Sequence, residues 1–147
     1  HVVSGIKSPD GTLVYSFNPS QNKRAVAKKT AEIFKDILKT VAEDGGTGKS
    51  ASVEGNQVAG KTGTAQIIDP RTKRYSKEKY VSSFVGFVPA DNPMIALIVV
   101  VYEPKGQIYG GVVAGPMFKE IAKQSLSYLK VPREDMEGKN ILVVERR

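Results

Sequence analysis

Apolar residues in this chain recur with two periods, and their alternation lays out the elements in order. Val2, Val3 and Ile6, then Leu13, Val14 and Phe17, mark two short strands around Ser8-Pro9-Asp10-Gly11. Pro-Asp-Gly is turn chemistry: a fixed φ, a side chain that bonds nearby backbone, and a residue tolerant of positive φ. A hairpin is expected over residues 2–17. Val26, Thr30, Ile33, Phe34, Ile37, Leu38 and Val41 recur at helical spacing with lysines and acids opposite, which predicts a helix over 27–44. Gly45-Gly46 would end it in a left-handed turn. Strand-like stretches follow at 56–68, 80–88 and 94–102. The last is almost continuously apolar and predicts a central strand covered on both faces. Pro116 stands at a first helical position, and Met117, Phe118, Ile121, Ala122, Ser125 and Leu129 share one face of a helix over 116–130. A tail, 131–147, carries one further apolar stretch, Ile141 to Val144. Three consecutive strands with loop-length connections must run antiparallel, since a parallel return needs a crossover. The expected class is α+β, an antiparallel sheet flanked by helices.

Length and composition narrow the chemistry. At 147 residues and 40% hydrophobic, the chain suits one packed domain, residues 1–147. It begins with His1, so it is expected to come from a longer chain. No stretch approaches the roughly 18 apolar residues of a membrane span, and no signal peptide is visible. With no cysteine and one histidine at the terminus, thiol catalysis, disulfides and Cys- or His-ligated metals are not expected. No cofactor is implied. A Ser-His-Asp triad is equally unexpected, so any serine nucleophile would need a lysine or a carboxylate as its base. The net charge of +7 raises nucleic acid as a partner. Yet the densest cluster, Arg71 to Lys79, follows Asp69-Pro70 and lacks an aromatic-basic strand pattern, so it reads as a solvated loop. The same positive balance suits work beside an anionic cell-wall polymer.

Lys61-Thr62-Gly63-Thr64 is the most informative stretch. A cation, two hydroxyls and a bare backbone position on one strand make a docking edge for a carboxylate or oxyanion. Gly60 and Gly63 weaken that strand without an evident packing return, which favours a ligand-binding reading. The strand is expected at or near a sheet edge, beside the Tyr80 strand, with the Met94 strand further in. Competing motifs are weaker. Asp44-Gly45-Gly46-Thr47-Gly48-Lys49-Ser50 imitates a phosphate-binding loop, but Glu43 stands where the pattern needs glycine. That segment also follows a helix and precedes a strand, the reverse of the required order. Four tetrapeptides match S-x-x-K, starting at Ser4, Ser20, Ser76 and Ser127. An activated Ser-Lys pair needs the serine to open a buried helix. Ser4 falls in a predicted strand, Ser20 and Ser76 in loops, and Ser127 near a helix end. Ser16-Phe17-Asn18 matches S-x-N on or just beyond a hairpin strand.

K-T-G is the third sequence motif of penicillin-binding proteins and serine β-lactamases. Val58 to Gln66, Val81 to Ala90, Val101 to Gly106 and Gly110 to Ile121 stand in the order and spacing of class B penicillin-binding proteins of the division and sporulation branch. The helix ending in Glu43 to Lys49 fits as well. Nearly the whole chain resembles the C-terminal half of the family's transpeptidase domain, which implies a partial penicillin-binding protein or serine β-lactamase-like fold. The resemblance implies a peptidoglycan D,D-transpeptidase that acts on stem peptides and is acylated by β-lactam antibiotics, at the extracytoplasmic face of the bacterial membrane. By that analogy Lys61 and the Thr62 and Thr64 hydroxyls hold the carboxylate, Gly63 lets the ligand approach the backbone, the Thr64 amide is an oxyanion donor, and Gln66 lines the same edge. The nucleophile motif and S-x-N of the family lie upstream, in an N-terminal remainder that would be the partner of this chain. A serine β-lactamase or penicillin sensor on the same fold, and a non-catalytic binding domain, are the alternatives.

Overall fold

Ser8 and Asp10 close the first turn as their chemistry dictates. The Ser8 hydroxyl donates to the Asp10 carboxylate, and the Thr12 amide donates to it at 2.9 Å. These two bonds, the hydroxyl's first, hold the Asp10 carboxyl at about 2. In the computed structural model, which describes residues 4–17 and 24–136, β1 (Gly5–Lys7) and β2 (Leu13–Ser16) pair antiparallel across this turn. The chain divides into two compact units, the first ending at Ala31 and the second beginning at Glu32. The hairpin belongs to the first. Residues 1–3, Ser20 to Lys23, Asn18 and the Ile141–Val144 stretch lie outside the described residues.

α1 (Lys28–Thr40) ends a turn earlier than its periodicity suggests. Beyond Thr40 the backbone turns inward: Ala42 is buried, and the Gly48 amide returns to donate to the Val41 carbonyl at 2.8 Å. Gly45 supplies the positive φ, +85°, that reverses the chain. The apolar side of α1 is not packed as predicted. Ile33, Phe34 and Ile37 are all more than half exposed. Its charged side has a partner, with Lys35 and Lys39 reaching Asp91 at 2.6 and 2.8 Å. Their ammonium groups hold the Asp91 carboxyl below its ordinary range.

The main sheet has three antiparallel strands in the order β3 (Ala59–Ile68), β4 (Tyr75–Val88), β5 (Ile95–Tyr102). β4 starts five residues earlier than predicted, because Tyr75 pairs with Ile68. Much of the basic loop is therefore strand, and Ser76 with it. β5 is not central: among the described strands its single neighbour is β4. An apolar run reports that both faces are suited to cover, and it leaves the strand's position in the sheet open.

Register separates two faces. Thr62, Phe84 and Val99 lie across from one another on one face, and Lys61, Val85 and Ile98 on the other. α3 (Gly115–Tyr128) covers the first; it starts one residue before the predicted Pro116, which lies in its first turn. Its buried stripe is Phe118, Ala122 and Leu126, whereas Met117 and Ile121, assigned inward by sequence, are exposed. The Phe84 and Phe118 rings meet edge-on, with centroids 4.7 Å apart. Val53, Val58, Val88 and Ala114 complete this core. The Gly110–Gly111 segment, read as loop, is a short helix, α2 (Gly110–Val113). The start of the tail folds back on the turn at residues 54–57, where the Glu134 amide donates to Gly55 and Arg133 pairs with Glu54.

The Phe118→Ala variant is expected to lose about 3–5 kcal/mol of stability, and Met117→Ala within about 0.5 kcal/mol of wild type, in urea unfolding. A larger loss from Met117→Ala would put the buried stripe where the sequence pattern placed it.

Candidate functional site

β3 brings together the residues that sequence reasoning singled out, and it splits them between the two faces of the sheet. Thr62, Thr64 and Gln66 alternate onto the face covered by α2 and α3, while Lys61 and Gly63 take the other. The strand has one hydrogen-bonded neighbour among the described residues, β4, so its remaining edge is free for a ligand. The Lys61 side chain curls over that edge. Its Nζ donates to the Thr62 carbonyl at 2.9 Å and lies 3.4 Å from the Thr62 hydroxyl. Cation and hydroxyl thereby converge although their Cβ atoms point to opposite faces. Gln66 is exposed two residues beyond Thr64 on the same face.

The hydroxyls are braced from behind. The Gly110 amide donates to Thr64 Oγ1 at 3.1 Å. Since an amide can only donate, the proton of Thr64 is left to point elsewhere. Thr62 Oγ1 lies 3.2 Å from the Thr47 hydroxyl. The brace depends on close approach. A Cβ on Gly110 would overlap the carbonyls of Gly63 and Ser83, and one on Gly111 would overlap the Thr47 carbonyl. Ser50 and the fully buried Ser82 fasten the same segment by donating to the carbonyls of Gly111 and Ile108. Sequence reasoning attached no role to Thr47 or Gly110. The visible signal was glycine on both sides of Thr47 and doubled at 110–111.

One premise of the sequence reading does not hold. Gly60 has a packing role: its missing Cβ makes room for the Phe84 ring, 2.6 Å from where that atom would stand. Gly63 faces the Ser83 side chain in the same way. The case for a site rests on the hydroxyl–cation cluster at the edge and not on unexplained glycines. Of the S-x-x-K look-alikes in the second unit, Ser76 and Ser127 lie outside the cluster. Ser4 precedes β1, Ser76 lies in β4, and Ser127 lies in the last turn of α3.

Among the described residues, the middle of the face that carries Lys61 is apolar and exposed: Val85, Ile98 and Val100 are 48%, 60% and 42% exposed. No helix among the described residues is long and apolar enough to cross a membrane.

A family model described as the penicillin-binding protein transpeptidase domain matches residues 1–123. The chain is 42% identical over 112 residues to a protein of Neisseria flavescens named probable peptidoglycan D,D-transpeptidase PenA, a match covering 76% of this chain and 28% of that protein. It is 39% identical over 120 residues to the stage V sporulation protein D of Bacillus subtilis, covering 80% of this chain and 18% of that protein. Among solved structures, penicillin-binding protein 3 from Mycobacterium tuberculosis in complex with ampicillin superposes with a TM-score of 0.70 at 33% identity, covering 92% of this chain and 32% of that one. The chain spans less than a third of the length of the curated relatives it matches. The motifs of β3 to α3 and the fold they build thus have one source: this chain belongs to the penicillin-binding protein transpeptidase-domain family.

Proposed function

We propose that this chain supplies the K-T-G wall of a peptidoglycan D,D-transpeptidase that is acylated by β-lactams. The observation that carries the reading is the placement of Lys61. It stands on the uncovered apolar face of the sheet, and its ammonium reaches round the strand edge to the Thr62 hydroxyl.

A stem peptide adds alongside β3 as an extra strand, so that its backbone is read by the strand edge. Lys61 and the hydroxyls of Thr62 and Thr64 hold the terminal carboxylate of peptide or antibiotic by charge-assisted bonds. Gly63 lets the ligand approach closely, Gln66 borders the next position, and the Thr64 amide is one of two donors to the developing oxyanion. An N-terminal remainder of the same protein covers the apolar face that carries Lys61 and brings the nucleophilic serine, its lysine base and the S-x-N motif to the same edge. The exposed Ile33, Phe34 and Ile37 of α1 are further surface for that remainder. A protein acting on cell-wall stem peptides works at the extracytoplasmic face of the membrane, where its substrate is.

In the full-length protein, Lys61→Ala is expected to slow acylation by penicillin about tenfold to a hundredfold, the loss of one charge-assisted contact. Its unfolding midpoint should stay at the wild-type value, since the side chain is exposed. Unchanged acylation kinetics in a folded variant would reject the assignment of the dock.

The 147-residue chain alone is expected to form no covalent adduct with penicillin, because acyl transfer needs nucleophile, base and oxyanion donor around one carbonyl. Intact-mass measurement after incubation with excess penicillin checks this. A stoichiometric adduct, above all on Ser4 or Ser20, contradicts the placement of the nucleophile outside these residues.

A further inference from the structure

The Gly-rich turn after α1 imitates a phosphate loop in sequence, and the transpeptidase reading leaves it without a role. We infer that Thr47, at its centre, is a positioning residue for the carboxylate dock, aiming the Thr62 hydroxyl at the ligand; the inference rests on the reading of the Lys61–Thr64 strand given above.

A threonine hydroxyl has one proton and two lone pairs, and a carboxylate can only accept. Thr62 binds a carboxylate only if its single proton is directed there. Its lone pairs must then face donors. Lys61 Nζ, at 3.4 Å, is one such donor, and the Thr47 hydroxyl, at 3.2 Å, is the second. With Thr47 donating, the Thr62 proton is released toward the strand edge. With the bond reversed, Thr62 would spend its proton on Thr47 and offer the ligand only lone pairs. The neighbouring hydroxyl shows the same arrangement with its direction fixed, since Thr64 Oγ1 accepts from the Gly110 amide at 3.1 Å. Both hydroxyls are thus served by a partner behind the strand, Thr47 on the turn after α1 and Gly110 at the start of α2.

Thr47 is held for this task by its neighbours. A Cβ on Gly46 would overlap the Val41 carbonyl, and one on Gly48 would stand 2.6 Å from the Phe84 ring. Phe84 is the cross-strand partner of Thr62, so the turn and the hydroxyl it orients share one anchor. Opposite them, Gly111 lets the Thr47 carbonyl press against α2. Thr47 is the single hydroxyl-bearing residue between Gly45 and Gly48, and the chain delivers it to the back of the dock.

The test is a double-mutant cycle on the full-length protein, with the second-order acylation rate by penicillin as the readout. Thr47→Val is expected to lower it about threefold to tenfold, the range for one neutral hydrogen bond. Thr47→Ser, which keeps the hydroxyl, is expected to stay within about twofold of wild type. In a Thr62→Val background, Thr47→Val should add less than about twofold, because the group it acts through is already gone. Thr47→Ala removes the same hydroxyl and replaces Thr47→Val if the latter fails to fold. A wild-type rate in Thr47→Val, or in Thr47→Ala where that replaces it, or the same loss with and without Thr62, overturns the inference and leaves the transpeptidase reading standing. A wild-type rate in Thr62→Val alone overturns the dock itself.

Discussion

Backbone pressed on backbone behind β3 is the contact on which this structure depends. Gly110 sits over the Gly63–Ser83 pair and Gly111 against the Thr47 carbonyl, with no room for a side chain at either glycine. Interiors are close-packed, so an added methyl there would have to displace backbone and not a flexible side-chain end. Because the contact is that close, the Gly110 amide reaches the Thr64 hydroxyl, and the turn after α1 brings Thr47 to Thr62. The same contact lets α3 follow directly and seat Phe118 on Phe84. The core and the placement of the Thr62 and Thr64 hydroxyls are consequences of one packing solution.

The two faces of the sheet then carry different burdens. The face under α3 is closed by aromatic and aliphatic side chains and gives the three strands their stability. The opposite face presents Val85, Ile98 and Val100 beside Lys61. A long, apolar, uncharged strand such as β5 is an aggregation hazard while its face and outer edge stay exposed. In the proposed enzyme this surface is covered by the segment that brings the serine, so folding and assembly of the active site are one event. The apolar side of α1 has the same character, with its helix tethered meanwhile by Lys35 and Lys39 on Asp91.

Much of this was legible in the sequence. The Pro-Asp-Gly hairpin, the antiparallel run of three strands, Pro116 in the first turn of α3 and the grouping of Lys61, Thr62 and Thr64 on one strand follow from turn chemistry, loop length and residue type. What was misread has physical causes. The apolar run of β5 encodes suitability for cover on both faces, which the pattern cannot distinguish from a central position. The helical period of α1 continues through Val41, but the chain gains more by burying Ala42 and returning Gly48 to Val41 than by another helical turn. On α3 the apolar residues outnumber the buried ones, and only contact with Phe84 decides that Phe118 and Ala122 face inward while Met117 and Ile121 do not. Gly60, Gly63 and Thr47 are explained by atoms distant in sequence, the Phe84 ring, the Ser83 side chain and the Thr62 hydroxyl, so no local pattern reveals their roles.

A crystal structure of the full-length protein acylated by ampicillin addresses the central claim most directly. The account predicts the antibiotic lying along the free edge of β3, its carboxylate within hydrogen-bonding distance of the Thr62 and Thr64 hydroxyls, with Thr47 still beside Thr62. A carboxylate held by other residues, with the β3 edge unoccupied, would contradict it.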